Sequence, residues 1–349
     1  MSKDTVSIEK VLNSRCTCGF ETGLKKRHWG IFVSTPSPRS RVDNLLLYCK
    51  VPQFSGGKLA QWFDDEHLLV GFEKTKDPNV GRVLNIESGM QQEAVYLACA
   101  ATGLGVCILN EGINGTVYGE KLATVSFVIR EMAHPYESRD FSVVTPGPGR
   151  RFVKGRNLSE PVRDGEMECL PELQRVVSCS KKGSEAVDTD LSQLLWAAKG
   201  RTPHLIRLQV LKMMWGLTIP TWGGGQDYTS VHIVRDRKNF RYVNLTKGFL
   251  PKRLVWEKIK WIQGNPTHDT KPVGDIDVSA YMDGFETAIV LCQSESTNRA
   301  LWEVGYMLEN MFLQARSLDI SFCSKIFTDP EIAQLADQGL PNAVAALLL

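Results

Sequence analysis

Six histidines and nine cysteines are the side chains in this sequence best suited to bind a metal or to act as nucleophile or base. The histidines, His28, His67, His134, His204, His232 and His268, show no HxxxH or similar ligand spacing, which fits structural or surface roles. The cysteines are Cys16, Cys18, Cys49, Cys99, Cys107, Cys169, Cys179, Cys292 and Cys323, with no CxxC among them. Cys16 and Cys18 form a CxC, but no second pair or nearby histidine completes four ligands, so no metal is expected. An odd, scattered set in a chain of 349 residues predicts reduced thiols serving as small apolar side chains, not a disulfide framework. No G-x-S-x-G elbow is present, and neither GxGxxG nor GxxxxGK[ST] occurs, so hydrolase and common nucleotide-loop chemistry lack support. Two groupings remain. Arg150, Arg151, Lys154 and Arg156 follow a turn-rich stretch, and by themselves read as a solvated basic connector. Gly223, Gly224 and Gly225 make a tight turn wherever they lie, and leave no Cβ in the way of a close approach.

The charge balance narrows the partners. Lys and Arg number 41 against 39 Asp and Glu, a net charge of +2, which argues against a nucleic-acid coat or a polybasic membrane binder. The most apolar stretch, 94–109, is 16 residues long, short of the roughly 20 that a spanning helix needs. Residues 1–10 are polar and lack a signal-peptide apolar region. The expectation is a cytoplasmic protein with no membrane or nucleic-acid partner.

The elements that must position any site follow from periodicity. Residues 188–199 (DTDLSQLLWAAK) read as a helix capped by Asp188 or Asp190, with Leu191, Leu194, Leu195 and Ala198 on one face. Leu301, Val304, Leu308, Met311, Phe312 and Ala315 mark a second helix, and residues 89–101 a third so apolar that it should be buried on most sides. Laid over each other, the last two windows place Gly89 on Gly305, Glu93 on Glu309, Leu97 on Leu313 and Cys107 on Cys323, at a constant offset of 216. Residues 29–34, 141–145, 230–234, 288–292 and 343–349 read as strands. Together these predict an α+β sandwich with helices on both faces, built from two unequal repeats divided near residues 160–172. The halves are 1–165, which lacks an N-terminal portion kept by its counterpart, and 166–349.

At this point a resemblance appears. Residues 89–107 (GMQQEAVYLACAATGLGVC) resemble the core helix and following turn of nitroreductase-superfamily flavoproteins, and Glu111-Gly112 resembles the Glu-Gly that lies beside the flavin in that family. Residues 191–200 (LSQLLWAAKG) and 218–228 (TIPTWGGGQDY) resemble an early helix and the Pro-Ser loop of the SagB-type branch. Arg15-Cys16-Thr17 resembles the family's phosphate-holding R-x-S, and Arg150, Arg151, Lys154 and Arg156 its late K-x-R. The family fold is an intertwined dimer with FMN at the interface, so the resemblance implies a nitroreductase-like α-β-α sandwich whose two subunits are fused in one chain as a pseudo-dimer.

The motifs survive unequally. The first half keeps Arg15, Thr17, Glu111, Gly112 and the basic run but has no Pro-Ser loop. The second keeps Pro220, Thr221, Trp222 and Gly223, yet Leu318-Asp319-Ile320-Ser321 stands where Glu-Gly would be, and Arg175-Val176-Val177-Ser178 is one residue too long for R-x-S. The surviving pieces make one composite site, hence one FMN per chain. What the resemblance implies is an FMN-dependent oxidoreductase (an NAD(P)H-using or substrate-oxidising one) acting on a small organic or peptide-derived substrate, monomeric or homodimeric. It names no catalytic acid or base, because a Lys/Tyr pair of the azoline-oxidising members has no evident counterpart here. The other readings are a specialised biosynthetic flavin-dependent dehydrogenase and a degenerate binding protein without catalysis.

Overall fold

The computed structural model describes residues 6–15, 33–36, 45, 47–48, 50–55, 59–64, 67–73, 75–109, 122–132, 158–204, 214–220, 228–247 and 264–349. In chain order the elements are α1 (Ile8–Ser14), β1 (Val33–Pro36), β2 (Leu59–Asp64), β3 (His67–Glu73), α2 (Pro78–Ala101), β4 (Leu104–Leu109), β5 (Leu122–Met132), α3 (Cys169–Leu173), β6 (Cys179–Ser180) and α4 (Asp188–Lys199). There follow β7 (Arg201–His204), β8 (Met214–Leu217), β9 (Thr229–Arg235), β10 (Lys238–Lys247), β11 (Gly264–Asp275), β12 (Thr287–Gln293), α5 (Asn298–Ser317), β13 (Phe322–Ile326), α6 (Asp329–Asp337) and β14 (Ala343–Leu348). Helices and antiparallel sheets are both present, so the α+β class holds. The predicted strand at 141–145 lies outside the described residues.

Two sheets share one pattern. In the first, β5 pairs both with β3, the strand before α2, and with β4, the strand after it. In the second, β14 likewise pairs with β12 before α5 and with β13 after it. The second sheet runs β11-β10-β9-β12-β14-β13-β6, and a separate hairpin joins β7 to β8. Residues 288–292 of β12 and the whole of β14 are apolar because both faces are covered. Ile289, Leu291, Val344 and Leu347 enter a core shared with α4 and α5, whereas Val290, Cys292, Ala346 and Leu348 face Leu335 of α6. Each such buried aliphatic side chain is worth about 1.5–3 kcal/mol.

The two long helices cross at the glycines the offset had paired. Each lacks a Cβ where the other's backbone passes: one added at Gly89 would lie 2.4 Å from the Trp302 carbonyl oxygen, and one at Gly305 would lie 2.2 Å from that of Ile86. Trp302 Nε1 donates to Asn85 Oδ1 at 3.0 Å, and the Tyr306 hydroxyl donates to Gln92, which satisfies polar groups that burial would otherwise penalise. Helix α2 starts earlier than periodicity suggested, with Asp77 accepting from the Asn79 amide at 2.9 Å and Pro78 in the first turn. Helix α4 has the expected bounds, but Val187 is the N-cap and Asp190 accepts from its amide at 2.9 Å. One core of buried residues runs from Ile8 through α2 and α5 to Leu349, and so spans both halves of the chain.

The cysteine expectation needs correction. Cys179 and Cys323 face each other across β6 and β13, with Cα atoms 3.9 Å apart, and form a disulfide. They are 144 residues apart and β6 is two residues long, so no spacing rule reveals the pair. Cys99, Cys169 and Cys292 are buried, as small apolar residues. Because the bridge closes a long loop, Cys179→Ser is expected to cost about 3 kcal/mol in urea unfolding without reductant. With a dithiol reductant present, the variant and parent curves should coincide.

Candidate functional site

The site is assembled from the end of α1 upward. Ser7 caps α1 by accepting from the Lys10 amide at 3.2 Å, and the helix ends at Arg15, whose amide donates to Val11 at 2.8 Å. This delivers the Arg15 guanidinium, 3% exposed, into the interior. There Nε donates to the Thr218 carbonyl at 3.0 Å and Nη2 to the Leu217 carbonyl at 2.9 Å. The guanidinium lies 5.2 Å from the ring centre of Tyr96 and 3.5 Å from the Glu93 carboxylate, both on α2.

From the other side, three further contacts hold the same short segment, and a fourth ties Asn310 to α4. The Thr218 amide donates to Gly200 at 3.0 Å and its hydroxyl to the Trp196 carbonyl at 3.2 Å. Asn310 of α5 donates through Nδ2 to the Thr218 carbonyl at 3.1 Å and to the Ala197 carbonyl at 3.2 Å. Thr218, Ile219 and Pro220 are buried. The first-half Arg15 and the second-half Thr218–Pro220 segment are therefore one hydrogen-bonded unit at the C-terminal end of α4.

Two buried carboxyls shape its electrostatics. Burial pushes Glu93 up to about 8, with Arg15 and Asn310 pulling it back and Glu309 adding to the rise. Burial likewise raises Glu309 to about 7, against the pull of Arg316. Burial thus favours the protonated form of Glu93 and weakens its pairing with Arg15, 3.5 Å away. Nη1 of Arg15 is buried and donates to no partner among the described residues. A buried guanidinium with a spare donor is completed by an oxygen acceptor, best an anionic one.

Of the residues expected at a site, Arg15 and Pro220 are described: Arg15 bonds to the carbonyls of Leu217 and Thr218, and Pro220, two residues further on, is buried. Thr17, Glu111, Gly112, Arg150, Arg151, Lys154, Arg156, Thr221, Trp222 and Gly223 lie outside the described residues. Arg175, in the overlong R-x-S counterpart, is 64% exposed and paired with Glu172 at 2.9 Å. Glu93, Tyr96, Asn310 and Thr218 were not anticipated as site residues. The available signal was a pair of acids, Glu93 and Glu309, sitting at matched positions in otherwise apolar helices. Among the described residues, no three His, Cys, Asp or Glu side chains gather as a metal site would need. No helix among them is long and apolar enough to cross a membrane.

Arg15→Leu removes two charge-assisted hydrogen bonds to the segment before Pro220. It is expected to lower stability by about 2–3 kcal/mol in urea titration. Arg15→Lys, which keeps the charge but loses the fork, should recover only part of that.

No family model matches the sequence, and no curated protein does. Among the solved structures that resemble the chain, three are each described as a candidate nitroreductase. The one from Anabaena variabilis is 10% identical, covers 98% of this chain and 99% of its own, and has a TM-score of 0.49. The Thermotoga maritima protein is 11% identical over 99% of this chain and 94% of its own, with a TM-score of 0.40. The Ralstonia eutropha protein is 19% identical over 59% of this chain and 93% of its own, with a TM-score of 0.39.

Proposed function

We propose that this chain is an FMN-dependent oxidoreductase of the nitroreductase type. In this reading two unequal nitroreductase-like halves, 1–165 and 166–349, form a pseudo-dimer with one composite flavin site. The observation that carries the reading is the Arg15 junction. A residue of the first half's expected phosphate motif is hydrogen-bonded to the segment that opens the second half's expected Pro-Thr-Trp-Gly loop. Had those two pieces lain apart, a shared site would have no basis.

The junction fits FMN in two respects. The buried Nη1 of Arg15 is a donor with nothing to donate to among the described residues. Burial, by raising Glu93, weakens the compensation of Arg15, so an anionic phosphate oxygen would be stabilised there. Arg15 and Asn310 together fix the Thr218 carbonyl, and with it the entry of the loop that starts at Pro220. Thr17, Arg150, Arg151, Lys154 and Arg156 are proposed to hold the phosphate, and Glu111, Gly112, Thr221, Trp222 and Gly223 to border the ring. FMN, when bound, supplies the electron-transfer chemistry, and a reduced nicotinamide and an organic substrate are its proposed partners. The protein's own task is then binding and orientation, with no acid/base triad required.

A second reading also has an observation behind it. Two of the three guanidinium nitrogens of Arg15 are spent on backbone carbonyls, as they would be in a degenerate member that keeps the fold without the chemistry. Flavin content separates the two. The oxidoreductase reading expects a yellow protein, or one that takes up FMN on addition, with one flavin per chain and bleaching by NADH or NADPH. A protein that stays colourless after incubation with FMN supports the degenerate reading, and two flavins per chain would contradict the single composite site.

A further inference from the structure

The opposite end of α4 carries a second feature. The Arg15 junction is at Trp196–Gly200; the first turn of the same helix, roughly 12 Å away at 1.5 Å per residue, roofs a cleft of about 340 Å³. Its floor is the face of the second sheet, where Ile233 of β9 pairs with Phe240 of β10. Leu158 and Leu191 close the sides, and the hydroxyl residues Ser159, Thr189 and Thr270 together with the Asp188–Arg235 ion pair interrupt the apolar lining. Volumes of this order suit one or two fused rings.

The cleft is preorganised by what stands behind it. The Tyr242 hydroxyl is 2.7 Å from His268 Nδ1, and His268 Nε2 is 2.9 Å from Ser192 Oγ, which donates to the Ser159 carbonyl at 2.8 Å. With the serine proton so used, Nε2–H donates to Ser192 and Nδ1 accepts from Tyr242. Burial holds His268 neutral, which suits that arrangement. The chain ties β10, β11 and α4 to the Leu158–Ser159 wall, so the walls cannot collapse cheaply onto the space. Charge at the mouth is spent: Arg235 Nη1 pairs with Asp188 Oδ1 at 3.0 Å, and Asp190 accepts from the Val187 amide.

We infer that this cleft binds a neutral, largely apolar small molecule of one or two fused rings bearing a hydrogen-bonding oxygen. Among the residues that line the cleft the one cation, Arg235, is already paired, so a carboxylate would find no uncommitted cation there and would face Asp188. The inference does not rest on the flavin reading and would stand if that reading failed.

The probe is 2-naphthol, followed by its own fluorescence on titration with the full chain at pH 7. Saturable binding at one site per chain is expected, with 2-naphthoate at least tenfold weaker. Thr189→Trp places a bulky side chain at an exposed wall position, and Phe240→Ala removes part of the floor. Each should weaken 2-naphthol at least tenfold with an unchanged circular dichroism spectrum. Val176→Trp, exposed elsewhere, should leave it within twofold. Saturating FMN should not displace the probe. The inference is overturned by absent or non-saturable binding, by binding that Thr189→Trp and Phe240→Ala both leave within twofold, or by stoichiometric displacement by FMN.

Discussion

Gly305→Ala is expected to cost at least about 4 kcal/mol, enough to unfold a domain of ordinary stability or leave it marginal. The change adds one methyl group, but the methyl has no place to go. It would sit 2.2 Å from the Ile86 carbonyl oxygen, 2.6 Å from the Met90 amide nitrogen and 2.8 Å from the Gly89 Cα. All three atoms are backbone, so no side-chain rotation relieves the overlap, and α2 and α5 must move apart. Separation would stretch the Asn85–Trp302 and Gln92–Tyr306 hydrogen bonds and open voids among Met90, Tyr306 and their neighbours, all fully buried. Gly89→Ala should behave alike, since its Cβ would approach the Trp302 backbone at 2.4 Å and 2.7 Å. Gly274→Ala, with nothing within 4 Å of its added Cβ, is the control and should lie within about 0.5 kcal/mol of the parent. The measurement is the urea midpoint of soluble protein. Unfolding of the Gly305 variant at the same urea midpoint as the control would show that the helices do not cross at these glycines.

The sequence paired Gly89 with Gly305 as repeat positions and not as a contact; that the helices cross there emerged only from the close approach of each glycine to the other helix's backbone. Helix α4 was readable, since its leucines fall on one stripe and Lys199-Gly200 ends it. The apolar runs at 288–292 and 343–349 emerged as β12 and β14 because a strand buried on both faces is apolar at every position. The β10–β11 edge was not readable. Pro266 and Pro272 lie within β11, which tolerates them because it is the outer strand of its sheet. The turn into β10 uses Asp236 and Arg237 at φ 51° and 56°, without the Asn-Gly or Asp-Gly that marks such a hairpin in sequence. At the site, Arg15 was found by type and neighbours, but its partners are backbone carbonyls of Leu217 and Thr218, which no side-chain pattern encodes. Glu93 and Asn310 were hidden for the complementary reason: a polar residue inside an apolar helix announces burial, but not what it faces.

The double variant Glu93→Gln, Glu309→Gln is expected to gain stability over the parent as pH rises, by about 4 kcal/mol in total between pH 6 and pH 8.5. Each carboxyl titrates near 4.5 when unfolded, but burial raises Glu93 to about 8 and Glu309 to about 7 in the fold. A raised folded value means the fold is favoured while the group is protonated and loses that advantage as pH climbs through the folded value. Each group contributes a slope of at most about 1.4 kcal/mol per pH unit. The charges that oppose the rise are Arg15 at Glu93 and Arg316 at Glu309, and each carboxyl also feels burial more strongly than its cation. His232 and His268, held down by burial, pull the other way at the acid end of this range, but they are common to both proteins and cancel in the difference. Glutamine keeps the shape and cannot ionise, so the variant should show the flatter curve in urea titrations at each pH. Parallel curves would mean that Glu93 is already ionised at pH 6 and pairs with Arg15 as an ordinary salt bridge. Arg15 would then carry no uncompensated charge, and the electrostatic part of the case for a phosphate at its Nη1 would fall with it.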